Sequence, residues 1–113
     1  MEMISFAQAA ERLGIKVTRA HRLLNEHRLL GLPDEQGKLQ IVADSLLETP
    51  EGWTLIERLP GTMLTLLDGG FSVQEATAWV LAAQPLLNDQ RPLDLLRAGS
   101  HSKVNAVAAM QAL

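Results

Sequence analysis

At 113 residues, with 47% apolar content, a formal net charge of −3 and no cysteine, the chain has the size of one ordinary domain or two very small ones. The missing cysteines exclude a disulfide framework, a thiolate zinc site and a cysteine nucleophile, and they fit a reducing compartment. Glu2, Glu11, Arg12 and Lys16 interrupt the first stretch and no later run is long and apolar enough to span a bilayer, so a cytoplasmic protein without membrane contact is expected.

Ser5-Phe6-Ala7-Gln8 has the form of a capping box, in which a hydroxyl and an amide satisfy each other's backbone N–H groups, and it predicts a helix start. Phe6, Ala9, Ala10 and Leu13 recur at helical spacing, and Gly14 stops the helix. A second helix over 17–27 follows, with Val17, Ala20, Leu23 and Leu24 on one side and Thr18, Arg19, His21 and Arg22 on the other. Leu29–Val42 is predicted to be a hairpin whose polar tip is Pro33-Asp34-Glu35-Gln36-Gly37 and whose Leu39 and Ile41 face the core. Asp44–Pro50 is expected to be a short helical or irregular connection, and the spacing in Glu51–Leu59 fits strand and helix alike.

Pro60 suits a helix start and Asp68-Gly69-Gly70 its stop. Ser72-Val73-Gln74-Glu75 is a second capping box, opening a helix through Ala76, Trp79, Val80 and Ala83 that must end before Pro85. Asn88-Asp89-Gln90 is predicted to be a loop. Pro92 and Gly99 bracket a short helix, and a last one is expected from Ser102 to Ala112, burying Val104, Val107, Ala108 and Met110 or Leu113.

Charge is unevenly placed. Residues 1–45 hold six bases and six acids, whereas residues 46–113 hold four and seven. The one positive concentration is Lys16, Arg19, Arg22 and Arg28 against Glu26, about the length of one helix and its flanks. Two short helices joined by a glycine turn, the second with a cationic outer face, are the sequence form of a helix-turn-helix, and the following hairpin makes it a winged one. Arg and Lys suit phosphates or guanine edges, and Thr suits a phosphate or a thymine methyl. The candidate DNA contacts are therefore Lys16, Thr18, Arg19, His21 and Arg22 on the second helix, with Gln36 and Lys38 on the wing. Arg12 and Arg28 are expected to pair with Glu11 and Glu26 or to solvate helix faces, and His27 to be structural, at a helix C-terminus where a partial positive charge is favourable. Helix-turn-helix patterns also occur in protein-interaction modules, which keeps that class open.

Several segments together resemble an actinobacterial family of small DNA-binding proteins. They are Arg12-Leu13-Gly14-Ile15 with Val17-Thr18-Arg19, Leu59-Pro60-Gly61 with Leu66-Leu67-Asp68-Gly69-Gly70, Glu75 with Trp79, Leu96-Arg97-Ala98-Gly99 with Val104, and Gln111-Ala112-Leu113. The resemblance spans nearly the whole chain. It implies an N-terminal winged helix-turn-helix, a family-specific C-terminal helical domain, and DNA binding through Lys16, Thr18, Arg19, His21 and Arg22. It also implies a longer N-terminal tail, whereas four residues precede Ser5 here. A second resemblance covers the end alone: Trp79, Asn88, Arg91-Pro92-Leu93-Asp94-Leu95-Leu96, Gly99 and Val104 are similar to the toxin-binding segment of Xre/MbcA/ParS-type antitoxins.

Catalysis finds little support. His21, His27 and His101 form no HExxH or i,i+4 pair, the glycines at 69 and 70 lack the lysine of a phosphate loop, and Ser5, Ser72, Ser100 and Ser102 look like caps. No enzyme, metal or cofactor is expected. The fold expected is mainly α, with an N-terminal winged helix-turn-helix over 1–48, including a short β-hairpin wing, packed on a C-terminal helical bundle of about four helices over 49–113. The function expected is DNA binding as a transcriptional regulator or nucleoid-associated protein. The partners expected are double-stranded DNA and a second copy through the C-terminal half; the alternative is an antitoxin-like module whose C-terminal helices hold a protein partner.

Overall fold

A computed structural model describes residues 1–111, and the chain divides into two compact units, Met1–Ile56 and Glu57–Leu113. In the first, β1 (Met3–Ile4) leads into α1 (Phe6–Leu13) and α2 (Val17–Asn25), followed by β2 (Gly31–Pro33) and β3 (Leu39–Val42). The three strands form one antiparallel sheet in the order β1-β3-β2, with Ile41 paired to Ile4 on one side and Gly31 on the other. This is a winged helix-turn-helix. The sequence pattern does not reveal β1, because two residues carry no periodicity and become a strand only by pairing with β3.

The helices form where their ends dictate. Ser5 Oγ accepts from the Gln8 N–H (3.0 Å) while the Gln8 side chain accepts from the Ser5 N–H (2.8 Å), and Gly14 ends α1 at φ 67°. Ala9, Ala10 and Ala20 are buried and small, which lets α1 and α2 cross closely. Ile4, Ala9, Leu23, Leu29, Ile41, Ala43 and Leu46 make the core of this unit. Ser45, fully buried, ties the strands to the following turn: its hydroxyl accepts from the Leu30 N–H (3.2 Å) and donates to the Val42 carbonyl (2.7 Å). The backbone at Gly31 lies close to its neighbours, since a Cβ there would meet Leu24 Cδ1 at 3.1 Å and the Gln40 carbonyl at 3.3 Å, closer than ordinary van der Waals contact.

Four expectations need correction here. Helix α2 ends at Asn25 rather than at residue 27, because His27 turns left-handed (φ 62°) and the Arg28 N–H reaches back to the Leu23 carbonyl. Val17 is exposed, lying in the first turn of α2. Leu39 is 40% exposed although Ile41 is fully buried: both lie on one face of β3, but Leu39 pairs with Pro33 at the outer end of the hairpin. Asp44–Pro50 is not a loose connection. After a 3-10 turn at Ala43–Ser45, β4 (Leu46–Thr49) pairs with β5 (Gly52–Leu55), resolving the ambiguous stretch in favour of a strand. Trp53 and Leu55 pack against the first unit's core, within the compact unit Met1–Ile56.

The second unit holds α3 (Leu59–Asp68), α4 (Val73–Leu81), α5 (Pro92–Arg97) and α6 (Ser102–Gln111), with a 3-10 turn at Pro85–Leu87. Pro60 lies in the first turn of α3, and α4 opens on the second capping box. Helix α3 packs on α4 and α6. Buried Thr62 donates to Asn105 Oδ1 (2.7 Å), a polar clasp between α3 and α6. The Arg91 guanidinium grips Asp94 at 2.6 and 3.1 Å across the start of α5. Val104, Val107 and Ala108 are buried on α6, Met110 is 62% exposed, and the expected contributions of Ala112 and Leu113 lie outside the described residues.

Candidate nucleic-acid interface

Helix α2 is built to present its outer face. Ala20 and Leu23 anchor it inward, which leaves Lys16, Thr18, Arg19, His21 and Arg22 exposed. Lys16 occupies the N-cap and makes no side-chain capping bond, although its carbonyl accepts from the Arg19 and Ala20 N–H groups at 3.0 and 3.1 Å. The sequence pattern overlooks Asn25, which is exposed three residues after Arg22 and so lies on the same helical stripe; the spacing alone is sufficient to find it.

The bases of the first unit fall into two groups. Arg12 lies 3.9 Å from Glu2 and 4.6 Å above the Trp53 ring, and Arg28 lies 3.6 Å from Glu26. Arg12 thus pairs with Glu2 on β1's flank rather than with Glu11, while the Arg28 pairing falls as expected. Lys16, Arg19, Arg22 and Lys38 are in no ion pair among the described residues. Two arginines are spent on structure, and four cations stay available.

His21 differs from its neighbours. Its ring stacks on Phe6 with centroids 3.8 Å apart and planes 9° from parallel, which ties the outward side of α2 to the start of α1. Nothing in the spacing of positions 6 and 21 signals this contact, because it depends on the crossing angle of the two helices.

The wing tip is organised by Asp34, a residue the sequence pattern leaves as plain turn. Its Oδ1 accepts from the Gln36 and Lys38 N–H groups at 2.9 Å each, and its Oδ2 from the Gln40 amide at 3.4 Å. The Gly37 N–H donates to the Asp34 carbonyl (3.0 Å) and Gly37 sits at φ 81°, the glycine bulge of a three-residue hairpin loop. The Lys38 backbone donor above all holds the Asp34 carboxyl below its ordinary value, opposed by desolvation and helped by Gln36, Gln40 and the Lys38 charge. Gln36 and Lys38 are both exposed, on opposite sides of that glycine.

Among the described residues no cluster of His, Asp or Glu is placed to hold a metal ion, and no helix is long and apolar enough to cross a membrane. Two family models match the chain. One, described as "DNA-binding protein Rv2175c, wHTH domain", covers residues 1–46, and the other, "Rv2175c C-terminal domain of unknown function", covers residues 56–112. Among solved structures, one described as "NMR structure of Rv2175c" superposes with a TM-score of 0.83 at 24% identity, over 99% of this chain and 82% of that one. No curated protein matches the sequence.

Proposed function

Given that the chain belongs to the Rv2175c family, whose N-terminal module is described as a DNA-binding winged helix-turn-helix, we propose that it binds double-stranded DNA. Helix α2 enters the major groove and the wing lies on the adjacent backbone. One observation carries this reading. Of the six bases in the first unit, the two that lie off the α2 face and the wing are paired, whereas Lys16, Arg19, Arg22 and Lys38 stay outside any ion pair among the described residues. Unpaired cations have no desolvated partner to give up when they meet phosphate, and each one that does so releases counterions.

Arg19 and Arg22 reach phosphates or guanine edges, Lys16 anchors the N-terminus of α2, and Thr18 supports the same strand. Gln36 and Lys38 touch the backbone beside the groove. His21, held against Phe6, acts as a stacked spacer that fixes where the arginines point, and its free edge remains available to DNA. The role that fits an acidic protein with one small basic face is a transcriptional regulator or nucleoid-associated protein on cytoplasmic DNA, its non-specific affinity kept low by the net charge of −3.

Leu64, Val73, Leu86 and Met110 are large apolar side chains exposed on the second unit, and they support self-association there. Pairing two recognition helices suits half-sites spaced about one helical turn apart, roughly 34 Å. Sedimentation velocity is expected to show a dimer at tens of micromolar; a monomer removes this part of the proposal.

The DNA reading is tested by fluorescence anisotropy with random duplex DNA between about 50 and 200 mM salt. Wild type is expected to weaken steeply with salt. The Arg19→Ala, Arg22→Ala double variant is expected to bind more weakly, with a log–log salt slope smaller by about 2, since each lost phosphate contact removes roughly 0.9 from it. Equal affinity and slope in the two proteins would sink the assignment.

A further inference from the structure

We propose that the cleft between the start of α1, the outer side of α2 and the wing is a binding site for a small aromatic carboxylate whose occupancy excludes DNA. The exclusion rests on the DNA reading above; the site itself does not. The cleft has a volume of about 470 Å³, inside the range of roughly 300 to 1,000 Å³ typical of small-molecule sites, whereas cavities of about 200 and 160 Å³ elsewhere fall below it.

The walls specify the ligand's chemistry. Phe6 and His21, stacked on each other with planes 9° from parallel, give the cleft an aromatic side, and Leu39, at 40% exposure, gives an apolar one. The Ser5 hydroxyl accepts from the Gln8 N–H and keeps its own O–H to donate, whereas the Gln40 amide donates to Asp34. The polar complement is therefore the Ser5 hydroxyl, the Lys38 ammonium and the imidazole of His21, with no carboxylate among the lining residues. A flat apolar body with one anionic end satisfies all of this, whereas a bare phosphodiester leaves Phe6 and Leu39 unmatched. His21 and Lys38 also belong to the proposed DNA face, so a ligand that engages them competes with DNA for the same side chains.

The test is an NMR titration of ¹⁵N-labelled full chain with 2-naphthylacetate and, in parallel, its neutral amide. Expected are shifts confined to residues 5–7, 21 and 38–40, and a dissociation constant in the millimolar range or tighter, the scale of a ligand of about fourteen non-hydrogen atoms. The amide is expected to bind about fivefold more weakly, and Lys38→Met to abolish that difference. Ala7→Phe, an exposed position lining the cleft, is expected to weaken both probes about tenfold by filling the space, with an unchanged melting temperature. Scattered shifts, equal binding of acid and amide, or an unaffected Ala7→Phe that folds each overturn the site. Should Ala7→Phe fail to fold, the acid and amide comparison on wild type decides alone. Binding at the cleft without displacement of DNA in anisotropy overturns the exclusion, and absence of DNA binding by the unliganded protein overturns the DNA reading instead.

Discussion

Helices α2 and α4 have the same length and opposite designs. Helix α4 opens on a complete capping box, with the Ser72 hydroxyl accepting from the Glu75 N–H (3.1 Å) and the Glu75 carboxylate from the Ser72 N–H (2.9 Å). Helix α2 opens on Lys16, which caps nothing, and closes on His27 in a left-handed conformation that glycine adopts more cheaply. One helix is stabilised by its own ends, and the other by what it packs against. The positions where α2 departs from local preference include the end residue proposed to face phosphate, as expected where a surface serves a ligand rather than stability.

The largest expected effect breaks α2 from its packed side. Ala20 is fully buried at the crossing with α1, so Ala20→Leu forces the two helices apart and is expected to cost about 1 to 3 kcal/mol by denaturant unfolding. A neutral outcome would mean that the crossing does not hold α2. Next, Ser72→Ala removes the cap that α2 never had and is expected to cost about 0.5 to 2 kcal/mol. A smaller and opposite change comes from Lys16→Ser: the backbone there is already extended (φ −77°, ψ 152°), and a hydroxyl is expected to stabilise the protein by about 0.5 to 1 kcal/mol. The same variant is expected to weaken DNA binding; a gain in both properties would separate Lys16 from the interface. His27→Gly relieves the left-handed strain but frees the unfolded chain, for a net gain of about 0.5 kcal/mol in unfolding experiments.

The finest probe of the comparison is pH. Donation from Ser72, its backbone N–H above all, holds the Glu75 carboxyl below its ordinary value of 4.5, so the folded protein takes up that proton less readily than the unfolded chain. The stabilisation is fully present above about pH 4.5 and is lost as pH falls through the lower folded value. Glu75→Gln keeps the capping geometry without the titration, so the stability difference between wild type and variant is expected to shrink on acidification through that window. A difference constant with pH would mean that the carboxylate adds nothing beyond the amide.

Much of this architecture is legible from the amino-acid order because it is written in ends. Ser5, Gly14, Ser72, Pro92 and Gly99 each satisfy or abolish backbone groups within a few residues, so α1, α4 and α5 start or stop where the local chemistry requires. The wing turn is legible for the same reason, and so are the family resemblance and the basic stripe of α2. The hairpin of β4 and β5 is not, since Leu46-Leu47-Glu48-Thr49 is a strand only beside Gly52–Leu55 and over the core that Trp53 helps to cover.

The candidate site divides along the same line. Spacing places Lys16, Thr18, Arg19 and Arg22 on one face, because a helix of fixed period leaves no choice once Ala20 and Leu23 are buried. Which cations remain unpaired is a tertiary decision: Arg12 reaches Glu2 and Trp53, residues ten and forty-one positions away. The stack of His21 on Phe6, the uncovered Leu39 and the cleft between them exist only once helix crossing and wing length are set. Sequence alone determined the elements whose hydrogen bonds close locally and the periodic faces they carry. The tertiary structure decided every contact that joins residues far apart in the chain, since the energy of such a contact depends on where the other elements come to lie.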